Sequence, residues 1–209
     1  MVTAAEALYI VDALPATLYK VGMDFTNSSE WDLPTFPVAV AAKAGGIPPG
    51  TLRMWFVRGQ VPQLDQPIGA EPAKDGLPRL LTYRSVLLIA AAGALTGQGV
   101  SPTEAIRTAQ HWTGVGTVEG GKLVRAPGAL FSSPALTLLS YRKGGPGVIS
   151  RGAVRDGAVS LPLQAYLSTM QDGGAPVSTL VLLNIVEQRA RAAALDYLGE
   201  RAGEGQTDA

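Results

Sequence analysis

Residues 38–62 of this 209-residue chain read VAVAAKAGGIPPGTLRMWFVRGQVP and determine how we interpret the fold. Residues 38–44 have the apolar spacing of a short helix, and Gly45-Gly46 would end it. The pair Pro48-Pro49 is tolerated only before a helix or in its first turn. Apolar residues then recur at helical spacing as far as Gly59. This stretch therefore predicts two short helices joined by a tight glycine-containing turn.

Both helical and strand patterns follow in the rest of the chain. Residues 84–96 are apolar and Ala-rich, and Ser101 opens a capping-box pattern ahead of another helix. Gly120-Gly121 and Asp156-Gly157 each lie between apolar runs, which is a hairpin signal. The longest helical pattern covers residues 177–201. We therefore expect an α+β protein that ends in a long helix.

Several classes of enzyme and metal site are excluded by composition. The chain has no Cys and one His, which excludes disulfides, thiolate metal sites and thiol catalysis. The glycines and lysine of residues 116–122 match a phosphate-binding loop, but Leu123 stands where Ser or Thr is needed, and a hairpin turn explains the same residues. We place His111 at a helix end, on the surface or as a cap. We expect no enzyme activity, metal or cofactor.

Charge is balanced overall but uneven along the chain. The 17 basic and 17 acidic residues cancel, so no net field attracts nucleic acid. Residues 38–84 hold six basic and three acidic residues, and residues 120–155 hold six basic residues and no acidic one. The second zone either extends a DNA-binding surface or is scattered surface charge.

We find no targeting or membrane signal in the sequence. Residues 1–14 contain Glu6 and Asp12 and lack a basic start, unlike a signal peptide. The longest uncharged run, residues 85–103, is broken by glycines after about ten apolar positions, too few to span a bilayer. We expect a soluble, cytoplasmic protein.

Residues 38–100 resemble the winged helix-turn-helix of the MerR transcription regulators. The resemblance rests on the opening stretch, then RLLTYRSVLLI (79–89) and ALTGQGVSPTEAI (94–106), in the family's order. Together with the patterns of the flanking segments, it divides the chain into four regions: an extension (1–37), a winged helix-turn-helix (38–113), a strand- and Gly-rich region (114–176) and a C-terminal helix (177–202). In the family a long dimerisation helix directly follows the fourth helix of the domain, whereas here the strand- and Gly-rich region lies between them.

The resemblance also implies a set of DNA-binding residues. Thr51 and Arg53 would lie on the recognition helix, Arg58 near its end, Arg79 on the wing and Tyr83 where the next helix begins. The cations Lys43 and Arg84 are further candidates for phosphate contacts. Arg suits this place because its guanidinium can bind guanine or phosphate through two parallel hydrogen bonds.

The function expected from this resemblance is sequence-dependent binding of double-stranded DNA in transcription regulation. Two alternatives are a phage or plasmid DNA-packaging or partition adaptor with the same motif, and a protein-interaction module. Selective DNA binding usually needs a dimer. One helical seam can serve as its interface or can cover the strand region within the chain; it consists of Leu183, Val186, Ala190, Ala193 and Tyr197.

Overall fold

The computed structural model describes residues 30–61, 80–155, 158–160 and 179–204. Over these residues the protein is a mixed α and β structure, which confirms the predicted α+β class. The described residues form five α-helices: α1 (Val38–Gly45), α2 (Pro49–Val57), α3 (Tyr83–Thr96), α4 (Pro102–Gly114) and α5 (Leu183–Glu204). Their strands are β1 (Phe36–Pro37), β2 (Leu80–Leu81), β3 (Thr117–Glu119), β4 (Lys122–Arg125), β5 (Leu136–Tyr141), β6 (Val148–Arg155), β7 (Ala158–Ser160) and β8 (Thr179–Leu182).

Helices α1 and α3 cross at two glycines. A Cβ added at Gly93 would lie 2.1 Å from the carbonyl oxygen of Gly45, a distance that no side chain tolerates. The absence of a side chain at position 93 therefore lets the two backbones touch. This contact fixes α1, and with it the turn that follows, against the almost fully buried helix α3.

A short strand pair joins the segments that precede α1 and α3. β1 runs antiparallel to β2, with Phe36 opposite Leu81. Both side chains are fully buried. Residues up to 37 were predicted to be an extension before the fold, but this pairing makes the end of that segment part of the core.

Side-chain caps begin α3 and α4. The Thr82 hydroxyl accepts a hydrogen bond from the backbone N–H of Ser85 (3.1 Å). The Ser101 hydroxyl accepts from the N–H of Glu104 (3.5 Å) and donates to its carboxylate (3.1 Å). The predicted start of α4 is confirmed, with the carboxylate bound to the Ser hydroxyl rather than to the backbone.

The second half of the chain builds the β structure. β3 and β4 form a separate antiparallel hairpin, and the other strands form a four-stranded antiparallel sheet in the order β7-β6-β5-β8. Gly120 and Gly121 take positive φ angles at the β3–β4 turn, so this predicted hairpin is confirmed. β6 pairs with β7, with Arg155 opposite Ala158, so the second predicted hairpin, at Asp156-Gly157, is also confirmed.

The C-terminal helix starts later than predicted. Residues 179–182 form β8, hydrogen-bonded to β5, and α5 begins only at Leu183. A four-residue stretch with three apolar residues next to a helical pattern fits either state by periodicity alone. These residues form a strand and not a helix because they pair with the edge of β5, which satisfies the backbone hydrogen-bonding groups of both strands.

Helix α5 packs within the chain through the seam that had two interpretations. Leu183, Val186, Ala190 and Ala193 are buried against α1, α3 and β5. Tyr197 meets Phe36 edge to face, with ring centroids 6.1 Å apart. These contacts favour the second interpretation, in which the seam packs within the chain.

One hydrophobic core includes residues from both sides of the predicted boundary at 113/114. Leu52 and Trp55 of α2, the buried face of α3, Leu139 of β5 and Val186 of α5 belong to the same buried cluster. The helices and the sheet thus support each other. Within the described residues no helix is long and apolar enough to cross a membrane.

Candidate nucleic-acid interface

A tight turn positions helix α2 against α1. Gly46 takes a left-handed conformation (φ 62°) that closes α1, and the N–H of Ile47 donates to the carbonyl of Ala42 (3.0 Å). Residue 46 needs glycine because other side chains disfavour this φ. Pro48 precedes α2 and Pro49 occupies its first turn, where no backbone N–H is needed. The predicted pair of short helices is confirmed.

Helix α2 has one buried side and one solvent side. Leu52 and Trp55 are at most 4% exposed and anchor the helix to the core. On the opposite side, at positions i, i+3, i+4 and i+7, lie Gly50, Arg53, Met54 and Val57. We call these four residues the α2 face. Thr51 and Arg58 flank it and are also exposed.

The α2 face combines positive charge with apolar surface. Residues 38–61 contain three cations and no carboxylate. Within the described ranges, the guanidinium groups of Arg53 and Arg58 have no ion-pair partner. Val57 is 78% exposed and Met54 44% exposed. These cations are available to an anionic partner, and the apolar groups between them are available for contact.

Lys43 lies on α1 and is held by the C-terminal helix. Its Nζ donates to Oδ2 of Asp196 at 2.8 Å, and both side chains are exposed. The hydrogen bond and the charge of Asp196 raise the pKa of Lys43. The predicted phosphate contact by Lys43 therefore competes with an internal carboxylate.

Tyr83 was predicted to contact DNA, but the structure places it in the core. Its side chain is fully buried and lies edge to face with Trp31, with centroids 5.6 Å apart. Burial raises the pKa of its hydroxyl, which also interacts with Glu187 and Arg191 of α5. A phosphate outside the protein cannot reach this hydroxyl, so we remove Tyr83 from the candidate interface.

Arg84 is likewise used inside the protein. Its Nε and Nη2 donate to the two carboxylate oxygens of Asp32, at 2.7 and 3.1 Å. Its Nη1 donates to the carbonyls of Thr113 (3.2 Å) and Pro127 (3.0 Å). Four of the five N–H donors are thus engaged, and the predicted phosphate contact by Arg84 is not supported. Arg79, the predicted wing residue, lies outside the described residues.

Two of the six cations in the basic zone at 120–155 are engaged within the protein. Arg125 is 2% exposed and donates to Thr117 Oγ1 (3.0 Å) and to the carbonyls of Trp112, Val115, Ala126 and Ala129. Burial lowers the pKa of Arg125. Arg151 lies 4.6 Å from the centroid of the Phe131 ring and 3.7 Å from Glu119. These contacts favour structural charge over a phosphate track.

Arg125 has a structural role that its sequence position does not reveal. It binds carbonyl groups at and after the carboxyl end of α4, where the helix dipole favours a cation. It thereby ties α4 to β4 and to the loop before β5. The sequence gives no local signal for this burial, because the strand period places Arg125 on the same face as Leu123, which is 63% exposed.

Two other sequence motifs have no catalytic geometry in the structure. Residues 117–122 belong to the β3–β4 hairpin, and Gly120 and Gly121 serve its turn. His111 lies in the last turn of α4. Among the residues that the structure describes, no three His, Cys, Asp or Glu side chains are grouped in a way that would hold a metal ion.

The candidate interface that remains consists of Thr51, Arg53, Met54 and Val57 on α2 and Arg58 just after it, with Lys43 on α1. Sequence reasoning assigned Met54 no contact and overlooked Gly50 and Val57. Their helical spacing with Arg53 is the signal that would have identified them. A scan against protein-family models gives no match for this chain, and a search of curated proteins gives no similar sequence.

Proposed function

We propose that the protein binds double-stranded DNA through a MerR-like winged helix-turn-helix and acts as a transcriptional regulator. Helix α2 is the recognition helix in this proposal. The observation that carries it is the α2 face, on which Arg53 has no ion-pair partner among the described residues and lies within a 24-residue stretch that has no carboxylate. A helix about 10–12 Å across fits the major groove, which is about 12 Å wide.

Each exposed residue of α2 has a role in this proposal. Arg53 lies at the centre of the α2 face and donates to a guanine edge or to a phosphate through two parallel hydrogen bonds. Thr51 and Arg58, seven residues apart, lie along one flank of that face and bind phosphates there, which sets the helix register without reading sequence. Lys43 adds a weaker phosphate contact because Asp196 already binds its ammonium group.

The experiment measures DNA binding by fluorescence anisotropy, first with a random-sequence duplex pool and then with the fragment selected from it. Arg53→Ala should weaken binding to the selected fragment by about 1–3 kcal/mol, or roughly 5- to 150-fold. Arg189→Ala is the matched control, because Arg189 is exposed on α5 and its substitution removes the same charge at a different place. Equal losses in both variants would contradict a recognition role for α2.

Salt dependence tests how many phosphate contacts this surface makes. Of the predicted cations, Arg84 is engaged internally, which leaves Lys43, Arg53, Arg58 and the wing residue Arg79. Three or four contacts per subunit give a slope of log K against log salt of about −3 to −4. No binding to the pool at about 50 mM salt, by a folded protein, would favour a protein-interaction module and overturn the proposal.

A further inference from the structure

The α2 face has apolar side chains where a phosphate-binding helix has no use for them. Val57 is 78% exposed and Met54 is 44% exposed, and both lie beside Arg53 on the same side of the helix. The core does not need them, because Leu52 and Trp55 already anchor α2. Both side chains therefore project from the surface that would enter the groove.

The glycine at the start of this face also lacks a structural reason. A Cβ built on Gly50 meets no atom within 4 Å, and its φ is not in the positive range. Glycine inside a helix costs about 0.5–1 kcal/mol relative to alanine. Here it leaves the first turn of α2 bare, which allows another molecule to approach the backbone closely.

Major-groove chemistry matches this mixture of groups. Thymine is the base that presents a methyl group in the groove, and apolar side chains recognise it by contact. Guanine presents two acceptors that suit Arg. An apolar protein partner would match Val57 and Met54 but would leave the charge of Arg53 without a counterpart, and this stretch has no carboxylate to neutralise it.

We infer that Met54 and Val57 read thymine methyl groups next to a guanine bound by Arg53, with Gly50 allowing the helix to sit deep in the groove. This inference rests on the proposed DNA binding and specifies the sequences that the protein prefers. The preferred half-site then contains guanine flanked by thymine. Specificity comes from the apolar pair as well as from the arginine.

The test replaces thymine with deoxyuridine in the selected duplex. Uracil keeps the base pairing and the groove acceptor of thymine and loses only the methyl group. Burial of one methyl is worth about 0.8 kcal/mol, so each lost contact should weaken binding about fourfold. In a Met54→Ala/Val57→Ala variant the two duplexes should bind equally. Arg53→Ala should weaken binding to both duplexes and keep their ratio.

The outcomes separate this inference from the function on which it rests. No binding to any DNA overturns both. DNA binding by the parent protein with no difference between thymine and uracil overturns the methyl inference alone. A difference that persists in the double variant also overturns it, because another surface would then sense the methyl groups. Both replaced residues are exposed, so an unchanged melting temperature shows that the variant is folded.

Discussion

Helix α2 buries Leu52 and Trp55, and its α2 face is exposed to solvent. The seam of α5, in contrast, is buried against three elements of the same chain. Both helices bury apolar side chains. The difference comes from what surrounds them: α1 and the core cover one side of α2, and α1, α3 and β5 together enclose the seam of α5. An apolar stripe on a helix therefore indicates a surface that packs against a partner. The neighbouring elements determine whether this partner is part of the same chain or another molecule.

The charged side chains of α2 and α5 differ in the same way as their apolar ones. On α5, Arg191 pairs with Glu187 at 2.7 Å, and burial raises the pKa of Glu187. On α2, Arg53 and Arg58 face solvent in a stretch without carboxylates. The Arg191–Glu187 pair of α5 is thus satisfied within the protein, whereas the arginines of α2 face solvent. The comparison predicts that substitutions in α5 alter stability, whereas substitutions in α2 alter binding.

The largest expected effect is on stability. Leu183 is fully buried at the start of α5, so Leu183→Ala should lower the free energy of unfolding by about 2–5 kcal/mol. Val57→Ala, the matched truncation on α2, should change it by less than about 0.5 kcal/mol because Val57 is 78% exposed. Urea denaturation of the two variants measures both values. A comparable loss from Val57→Ala would mean that α2 is packed and not free.

The parts of this protein that could be predicted from sequence are those set by neighbours in the chain. Gly46, Pro49, Ser101 and the hairpin glycines act through local backbone geometry, and their elements are confirmed. Exposure of Arg53 also follows locally, since the helical period places it opposite Leu52 and Trp55.

The predictions that were wrong concern residues whose partners are distant in the chain. Arg84 binds Asp32, 52 residues earlier, and Tyr83 interacts with Glu187 and Arg191, more than 100 residues later. Periodicity cannot show such contacts, so both residues looked free at the beginning of a helix. β8 was missed for the same reason, because its strand character depends on pairing with β5.

A smaller effect, with opposite signs for folding and binding, is expected at Gly50. A Cβ fits there without a clash, so Gly50→Ala should keep or raise the melting temperature. The same methyl group would hold α2 away from the groove floor and weaken DNA binding, by about tenfold. Gly199→Ala on α5, also at an open position, is the control and should leave binding unchanged. Unaltered affinity in Gly50→Ala would show that the first turn of α2 does not approach DNA.

The smallest effect is expected at the ion pair that joins the two regions, Lys43 of α1 with Asp196 of α5. The pKa of Lys43 is raised above its ordinary value of 10.5, first by the hydrogen bond to Asp196 and then by its charge. A raised pKa in the folded state means that the pair's contribution to stability is complete below pH 10.5 and is lost as the pH rises through the folded-state value. At neutral pH Asp196→Asn should slightly lower stability yet increase DNA affinity by about two- to threefold, because the ammonium of Lys43 becomes free for phosphate. The gain should disappear when Lys43→Met is added, and it should shrink as salt is raised. Reduced affinity in Asp196→Asn would instead indicate that Asp196 holds Lys43, or α1 itself, in the position that DNA binding requires.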